Sequence, residues 1–317
     1  MKTIFSLTLW LAALIAHAQN QTFNQDFFLK VDNDAFLFQA VDRYYSSGIF
    51  FQYRHLSKDS SVVRRLLPKS VKAIRSFQFS HAFYTPRDIK FRTLDQLDRP
   101  YAGYISLGYG QQVFLRKNKM LQFDLEAGLL GPSTKMAELQ DWYHNIIGAK
   151  TPQAWRYQIE DTPLIQLGGK LIMPLKTNNR LEVYSASSFK VGTVFNQVMQ
   201  GVTMRIGNFL PLENSAFQQA KLGVVDKSEK DKTKYESFFF LTALAGYRFY
   251  DATVQGNIIG AKSIHTEPLV NWTYNVKYGW MWSWYRWDFA LSANNSGRET
   301  RKAENHYYIT FDFVMRF

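Results

Sequence analysis

The closing residues of the chain, 306–317, constrain its fold more tightly than any other stretch. Tyr307, Ile309, Phe311, Phe313, Met315 and Phe317 recur at every second position, while Tyr308, Thr310, Asp312 and Arg316, interrupted only by Val314, fill the positions between. Successive side chains of a strand point to opposite faces, so this segment is a strand with one aromatic, apolar side and one polar side. A soluble sandwich seldom keeps such a strand for its final residues. A transmembrane β-barrel uses it as the closing strand, with rings in the interfacial girdle and the polar face toward the lumen.

The beginning of the chain agrees. Met1-Lys2, an apolar run from Ile4 to Ile15 and then Ala16-His17-Ala18 form a basic start, a short apolar core and an A-x-A site. That is the layout of a secretory signal peptide, expected to span 1–18 and leave a single mature domain at 19–317. The run is too short for a membrane anchor, which needs about 18 or more apolar residues. The stretch from Phe238 to Ala245 falls short in the same way. An exported chain that is 46% hydrophobic and 16% aromatic, yet has no spanning helix, fits a barrel. A bilayer accepts only helices or closed sheets. The absence of cysteine excludes thiolate nucleophiles and thiolate metal sites and leaves stability to the sheet. The net charge of +12 points to an anionic surface, such as phosphorylated glycolipid on a bacterial membrane, and not to nucleic acid.

Alternating or aromatic-rich runs occur at 23–34, 46–57, 73–84, 101–115, 120–131, 164–175, 180–192, 196–208, 236–250, 269–281, 284–295 and 306–317. The expected fold is therefore an all-β, transmembrane antiparallel barrel of about twelve strands, with short helices in its outer loops. Tight turns at Arg116-Lys117-Asn118-Lys119 and Thr177-Asn178-Asn179 belong on the periplasmic side, and with the first strand running outward parity puts 35–45, 85–100, 132–163, 193–195, 251–268 and 296–305 outside. Segments 58–72 and 209–235 are longer than periplasmic turns should be.

Several outer segments gather catalytic residue types. Asp32-Asn33-Asp34 ends the first strand, and the hairpin returns through Asp42-Arg43-Tyr44-Tyr45-Ser46-Ser47-Gly48, which makes Asn33, Asp34 and Ser46 neighbours on one rim. Such residues also serve as plain turn formers. Gln140-Asp141-Trp142-Tyr143-His144 reads as a short helix closed by Gly148, with Gln140 and His144 on one face. A neutral histidine there is a candidate general base or a surface residue on an amphipathic turn. In Asp98-Arg99-Pro100 the first two residues are expected to form a structural ion pair.

These segments, taken in order, resemble the outer-membrane lipid A deacylase family, which removes 3′-linked acyl chains from lipid A. The resemblance is carried by Asn33-Asp34, Asp42 to Ile49, Tyr84-Thr85-Pro86, Asp98 to Gly103, Gly131-Pro132, Gln140 with His144, and Ala154-Trp155 with Gln158. It implies a calcium-dependent esterase site between the barrel wall and loop helices, facing the outer leaflet and its lipopolysaccharide. Carried over, His144 activates a water among Asn33, Asp34 and Ser46, and Asp34 and Gln140 help to place Ca²⁺. The chemistry is coherent, because ester hydrolysis needs a base for the water and positive charge where the oxyanion develops. A hard cation with oxygen ligands supplies the second.

Two departures stand out. Ser46 replaces a threonine of the family and keeps the hydroxyl. Lys150 replaces an acid that follows the histidine; either Asp141, Glu160 or Asp161 stands in, or Lys150 binds a substrate phosphate, as Lys90 and Arg92 would, or activity is weakened. Two other readings remain open. One is an outer-membrane phospholipase with Ser46 or Ser47 as nucleophile. The other is a small porin or structural barrel without activity. In any of these the final strand, ending at Phe317, is the expected contact for barrel-assembly machinery.

Overall fold

In the computed structural model, which describes residues 22–34, 36, 43–58, 61–223 and 235–317, all twelve expected strands are present. The expected leader lies outside the described residues, as does Asp42. The strands are β1 (Gln25–Asn33), β2 (Tyr44–Leu56), β3 (Ser70–Thr85), β4 (Ala102–Leu115), β5 (Lys119–Leu130), β6 (Thr162–Thr177), β7 (Leu181–Gly192), β8 (Phe195–Asn208), β9 (Tyr235–Asp251), β10 (Trp272–Trp284), β11 (Trp287–Ser296) and β12 (His306–Arg316). Each pairs antiparallel with the next, and β12 closes on β1 from Asp26 opposite Arg316 to Asn33 opposite Ile309. Closure satisfies every edge, which a bilayer demands.

Period two decides what faces where. On β12, Thr310, Asp312, Val314 and Arg316 are buried toward the lumen, while Tyr307, Phe311 and Phe317 are exposed. Exposed rings collect at both ends of the wall: Phe27, Tyr235, Trp284 and Phe317 at one, Phe249, Trp272 and Tyr307 at the other. Two such girdles mark the two membrane interfaces. The lumen is polar along the wall, with Arg54 paired to Asp26 at 2.7 Å and Arg316 to Asp288 at 2.6 Å.

The overlong connection between β8 and β9 proves to be a plug. Its 209–223 portion folds back into the periplasmic mouth and packs Leu212, Ala216, Phe217, Ala220 and Leu222 against Ile74, Phe114, Ile172 and Phe238. Lys72 donates to the carbonyls of Glu213 (2.6 Å) and Ala220 (2.9 Å) and to Asn214 Oδ1 (2.8 Å). Glu236 accepts from the backbone of Leu210 and Ala216. Lumen charges thus satisfy the polar backbone of a segment that would otherwise bury it unpaired. The other long connection, at 58–72, holds the helix α1 (Val62–Leu66). The filled mouth argues against an open porin.

At the outer mouth one sequence expectation is corrected. Asp98 and Arg99 do not pair with each other. Asp98 accepts from the Tyr44 hydroxyl and the Arg87 amide, both at 2.9 Å. Arg99 is fully buried, pairs with Glu299 in the last outer loop, and donates to Thr253 O and Oγ1 at 3.1 Å. The chain bends at Asp98 and Arg99 ahead of β4, and the two side chains find separate partners.

Candidate active site

On the outer face of the barrel a register row runs across four strands. Asn33 lies opposite Ser47, Ser47 opposite Phe83, and Phe83 opposite Gly103. Each shares its parity with an exposed apolar residue of its own strand: Phe27, Phe51, Phe77 and Leu107. The row therefore points away from the lumen, at the extracellular end. A bulge between Tyr45 and Ser47 adds one residue to β2 here. Tyr45 turns inward, its hydroxyl donating to Asp32 Oδ2 at 2.8 Å, and Ser46 turns to hydrogen-bond Thr85 Oγ1 at 2.6 Å. Asp34 N donates to Ser46 O at 3.3 Å, and Arg43 N donates to Asp34 Oδ2 at 2.7 Å. The three rim residues are neighbours as expected, and Asp34 also does turn work. The Ser46 hydroxyl bonds Thr85 and not a histidine, unlike the nucleophile of a serine esterase.

Against this row lies the helix α2 (Met136–Ile147), entered through left-handed Lys135 and ended by left-handed Gly148. Its buried residues are Met136, Gln140 and His144, each four apart on one face. Met136 sits on Gly103, where an added Cβ would come within 2.2 Å of Met136 Cγ. Gln140 Oε1 accepts from Trp155 Nε1 at 2.8 Å. The Trp155 ring lies 4.8 Å from Tyr101 and 6.3 Å from Phe83. Phe83, Leu97, Tyr101, Met136, Ala154 and Trp155 form one buried cluster outside the wall. Full burial of such a side chain stabilises by about 1.5–3 kcal/mol, enough between them to hold α2 in place. Contacts thus lead from Asn33 through Ser47, Phe83 and Trp155 to Gln140. His144 follows one turn on.

His144 Nδ1 is 2.5 Å from the backbone carbonyl of Lys150. A carbonyl only accepts, so Nδ1 carries a proton, and in the neutral ring the lone pair then falls on Nε2, the tautomer of a base. The turn at Gly148, with Ala149 N donating to His144 O at 2.8 Å, brings that carbonyl round. Lys150 therefore contributes its backbone, while its side chain is exposed. Of the acids that could replace the family's, Asp161 is bound to Ser133 N (2.8 Å) and Oγ (2.6 Å), and the Glu160 amide donates to Ser263. Asp141, half-buried on α2, interacts with His144. Burial raises its carboxyl above the usual value, and the His144 side chain counters this.

Lys90 and Arg92 are exposed on the 86–101 segment beside this cluster, where Arg92 O accepts from Arg156 at 2.8 Å and Gln153 N donates to Ile89 O at 3.2 Å. Sequence reasoning assigned no role to Thr85 or Trp155, although both lie within the quoted motifs, and none to Phe83. Only the register and the packing against α2 reveal them.

The donors at the rim are oxygens: the Asn33 amide, the Asp34 carboxylate, and the hydroxyls of Ser46 and Thr85. No group of three or more His, Asp or Glu side chains gathers around a common point among the described residues. Oxygen donors with a single carboxylate suit a hard cation such as Ca²⁺ at modest affinity, not a zinc-type site. Gln140 Oε1 already serves Trp155, which makes it a support of α2 first and a ligand second.

A family model described as outer membrane protein LpxR matches residues 4–317. The chain belongs to the LpxR family. It is thus an outer-membrane barrel of the lipid A deacylase family that its ordered motifs resemble. The structure of LpxR from Salmonella typhimurium matches with a TM-score of 0.73 at 21% identity, over 92% of this chain and 100% of that one. The translocator domain of the autotransporter NalP from Neisseria meningitidis gives 0.42 at 10% identity, over 99% and 96%. The β-domain of the Bordetella autotransporter BrkA gives 0.47 at 7% identity, over 94% and 100%. Among curated proteins none matches.

Proposed function

We propose that this LpxR-family barrel is a calcium-dependent esterase that removes a 3′-linked acyl chain from lipid A in the outer leaflet. One observation carries the reading. A buried histidine, its Nδ1 held by a backbone carbonyl, lies on the barrel-facing side of a helix that packs outside the wall, at the outer end of the lipid-facing surface. An ester there can be met without leaving the membrane.

In the proposed reaction His144 Nε2 takes a proton from water as the water oxygen bonds to the ester carbonyl carbon. The tetrahedral oxyanion then collapses, the bond to the sugar oxygen breaks, and the imidazolium returns the proton to that oxygen. A fatty acid and a free sugar hydroxyl leave. The Lys150 carbonyl keeps Nδ1 protonated throughout and accepts a stronger hydrogen bond once the ring is charged. Asn33, Asp34 and Ser46 would hold Ca²⁺, with Gln140 nearby; when bound, the ion supplies the positive charge a developing oxyanion needs. Exposed Lys150, Lys90 and Arg92 would meet the glycolipid phosphates. The strand ending at Phe317 would serve recognition by the assembly machinery.

The test uses purified protein in detergent with lipopolysaccharide, reading released fatty acid by mass spectrometry. Release should require Ca²⁺ and disappear in His144→Ala, while the variant keeps the heat-modifiable gel mobility of a folded barrel. Undiminished release by a folded His144→Ala would overturn the proposal.

A further inference from the structure

The helix α2 carries a second face that the proposed reaction does not use. With 3.6 residues per turn, Leu139, Trp142, Tyr143 and Ile146 cluster about 110° from the buried Met136–Gln140–His144 side in one direction, and Glu138, Asp141 and Asn145 about 130° in the other. The four apolar residues of the first group are all strongly exposed, Trp142 at 60% and Ile146 at 62%. An ordinary surface helix has one apolar stripe, and it is buried. Here a second apolar stripe and a polar stripe flank the buried one on opposite sides.

The position of the helix says what meets that stripe. Gly103, on which Met136 sits, is two residues, or about 7 Å, above Ile105 along β4. Ile105 lies opposite Leu129, and Leu129 opposite Pro163. From that row the exposed outward residues Leu107, Leu125, Leu129, Ile165 and Leu167 continue down the wall as part of the lipid-facing band. The helix therefore lies at the upper edge of an apolar surface already committed to lipid. A tryptophan and a tyrosine on its free flank match the residue types that settle at a membrane interface, and α2 has no lysine or arginine.

We infer that α2 lies in the plane of the outer leaflet as an interfacial helix, with Leu139, Trp142, Tyr143 and Ile146 immersed in the acyl-chain layer and Glu138, Asp141 and Asn145 turned to the headgroups and water. The occupant of the apolar stripe is the membrane's own acyl chains. The buried face is thereby held level with the region where acyl chains join their headgroups.

The chain has no cysteine, so single cysteines can be labelled without background. Leu139→Cys, Ile146→Cys, Glu138→Cys and Asn145→Cys would each carry a nitroxide in protein reconstituted into vesicles of phosphatidylcholine with phosphatidylglycerol. Collision with oxygen, which concentrates in lipid, is compared with collision with a water-soluble nickel chelate, after gel mobility confirms each barrel is folded. The oxygen-to-nickel ratio should be several-fold higher at 139 and 146 than at 138 and 145. Equal nickel access at all four positions would place the stripe in water and overturn the inference. Poor access of both reagents at 139 and 146 would mean that protein covers the stripe, and would overturn it equally.

Discussion

The contact between Gly103 and Met136 allows a sharp test of what positions the base. In Gly103→Ala the new Cβ would stand 2.2 Å from Met136 Cγ and 2.6 Å from Met136 Cβ, where ordinary contact begins at 3.4 Å. Neither atom is the free end of the side chain, so rotation alone does not clear the clash. The first turn of α2 must retreat by roughly 1 Å, and a displacement of that size in a catalytic group lowers turnover by about 100-fold. The strand pairing of Gly103 with Phe83 uses backbone only and survives. Overpacking of this kind costs about 1–3 kcal/mol, which a closed barrel tolerates. The expected outcome is therefore a folded barrel, judged by heat-modifiable gel mobility, whose fatty-acid release from lipopolysaccharide falls by one to two orders of magnitude. Adding Met136→Ala removes Cγ but keeps the Cβ that is 2.6 Å away, so recovery should be partial. Full activity in folded Gly103→Ala would refute the idea that the seat of α2 on β4 sets the position of His144.

Two further outcomes are expected. Lys150→Ala keeps the carbonyl that accepts from His144 Nδ1, so kcat should change little and any loss should appear in KM, measured on lipopolysaccharide; a large fall in kcat with unchanged KM would show that the side chain takes part in the chemical step. At the outer mouth, burial would raise the Glu299 carboxyl, but Arg99, with His306 and Arg248, pulls it below the usual glutamate value of 4.5. Its stabilising contribution is thus complete above pH 4.5 and is lost as pH falls through the lower folded value. Glu299→Gln should lose about 3–5 kcal/mol at neutral pH, because Arg99 stays buried without its counter-charge. The difference from the parent in urea unfolding should narrow in acid; a constant difference would refute the ion pair's role.

Much of this protein was legible along the chain. All twelve strands follow from period two and from turn residues, because a wall between lipid and a filled lumen must alternate at every position. Gly148 as the end of α2, and Gln140 with His144 on one face, follow from helix geometry in the same local way. The pairing of Asp98 with Arg99 did not hold, since the true partner of Arg99, Glu299, is 200 residues away. The segment 209–235, too long for a turn, gave no hint that Lys72, Glu236 and Arg54, which donates to Gln219 O at 2.9 Å, hold its 209–223 portion as a plug.

What the amino-acid order by itself determined is the closed sheet and the residue types at its rim, because alternation and turn chemistry act between near neighbours. Tertiary structure alone decided which residues meet. The register set Asn33, Ser47, Phe83 and Gly103 in a row, and the space above a side-chain-free Gly103 let Met136 settle there. That seat brings α2 and His144 to the wall. Contacts of this kind depend on the twist and stagger of a whole barrel, which no local spacing encodes.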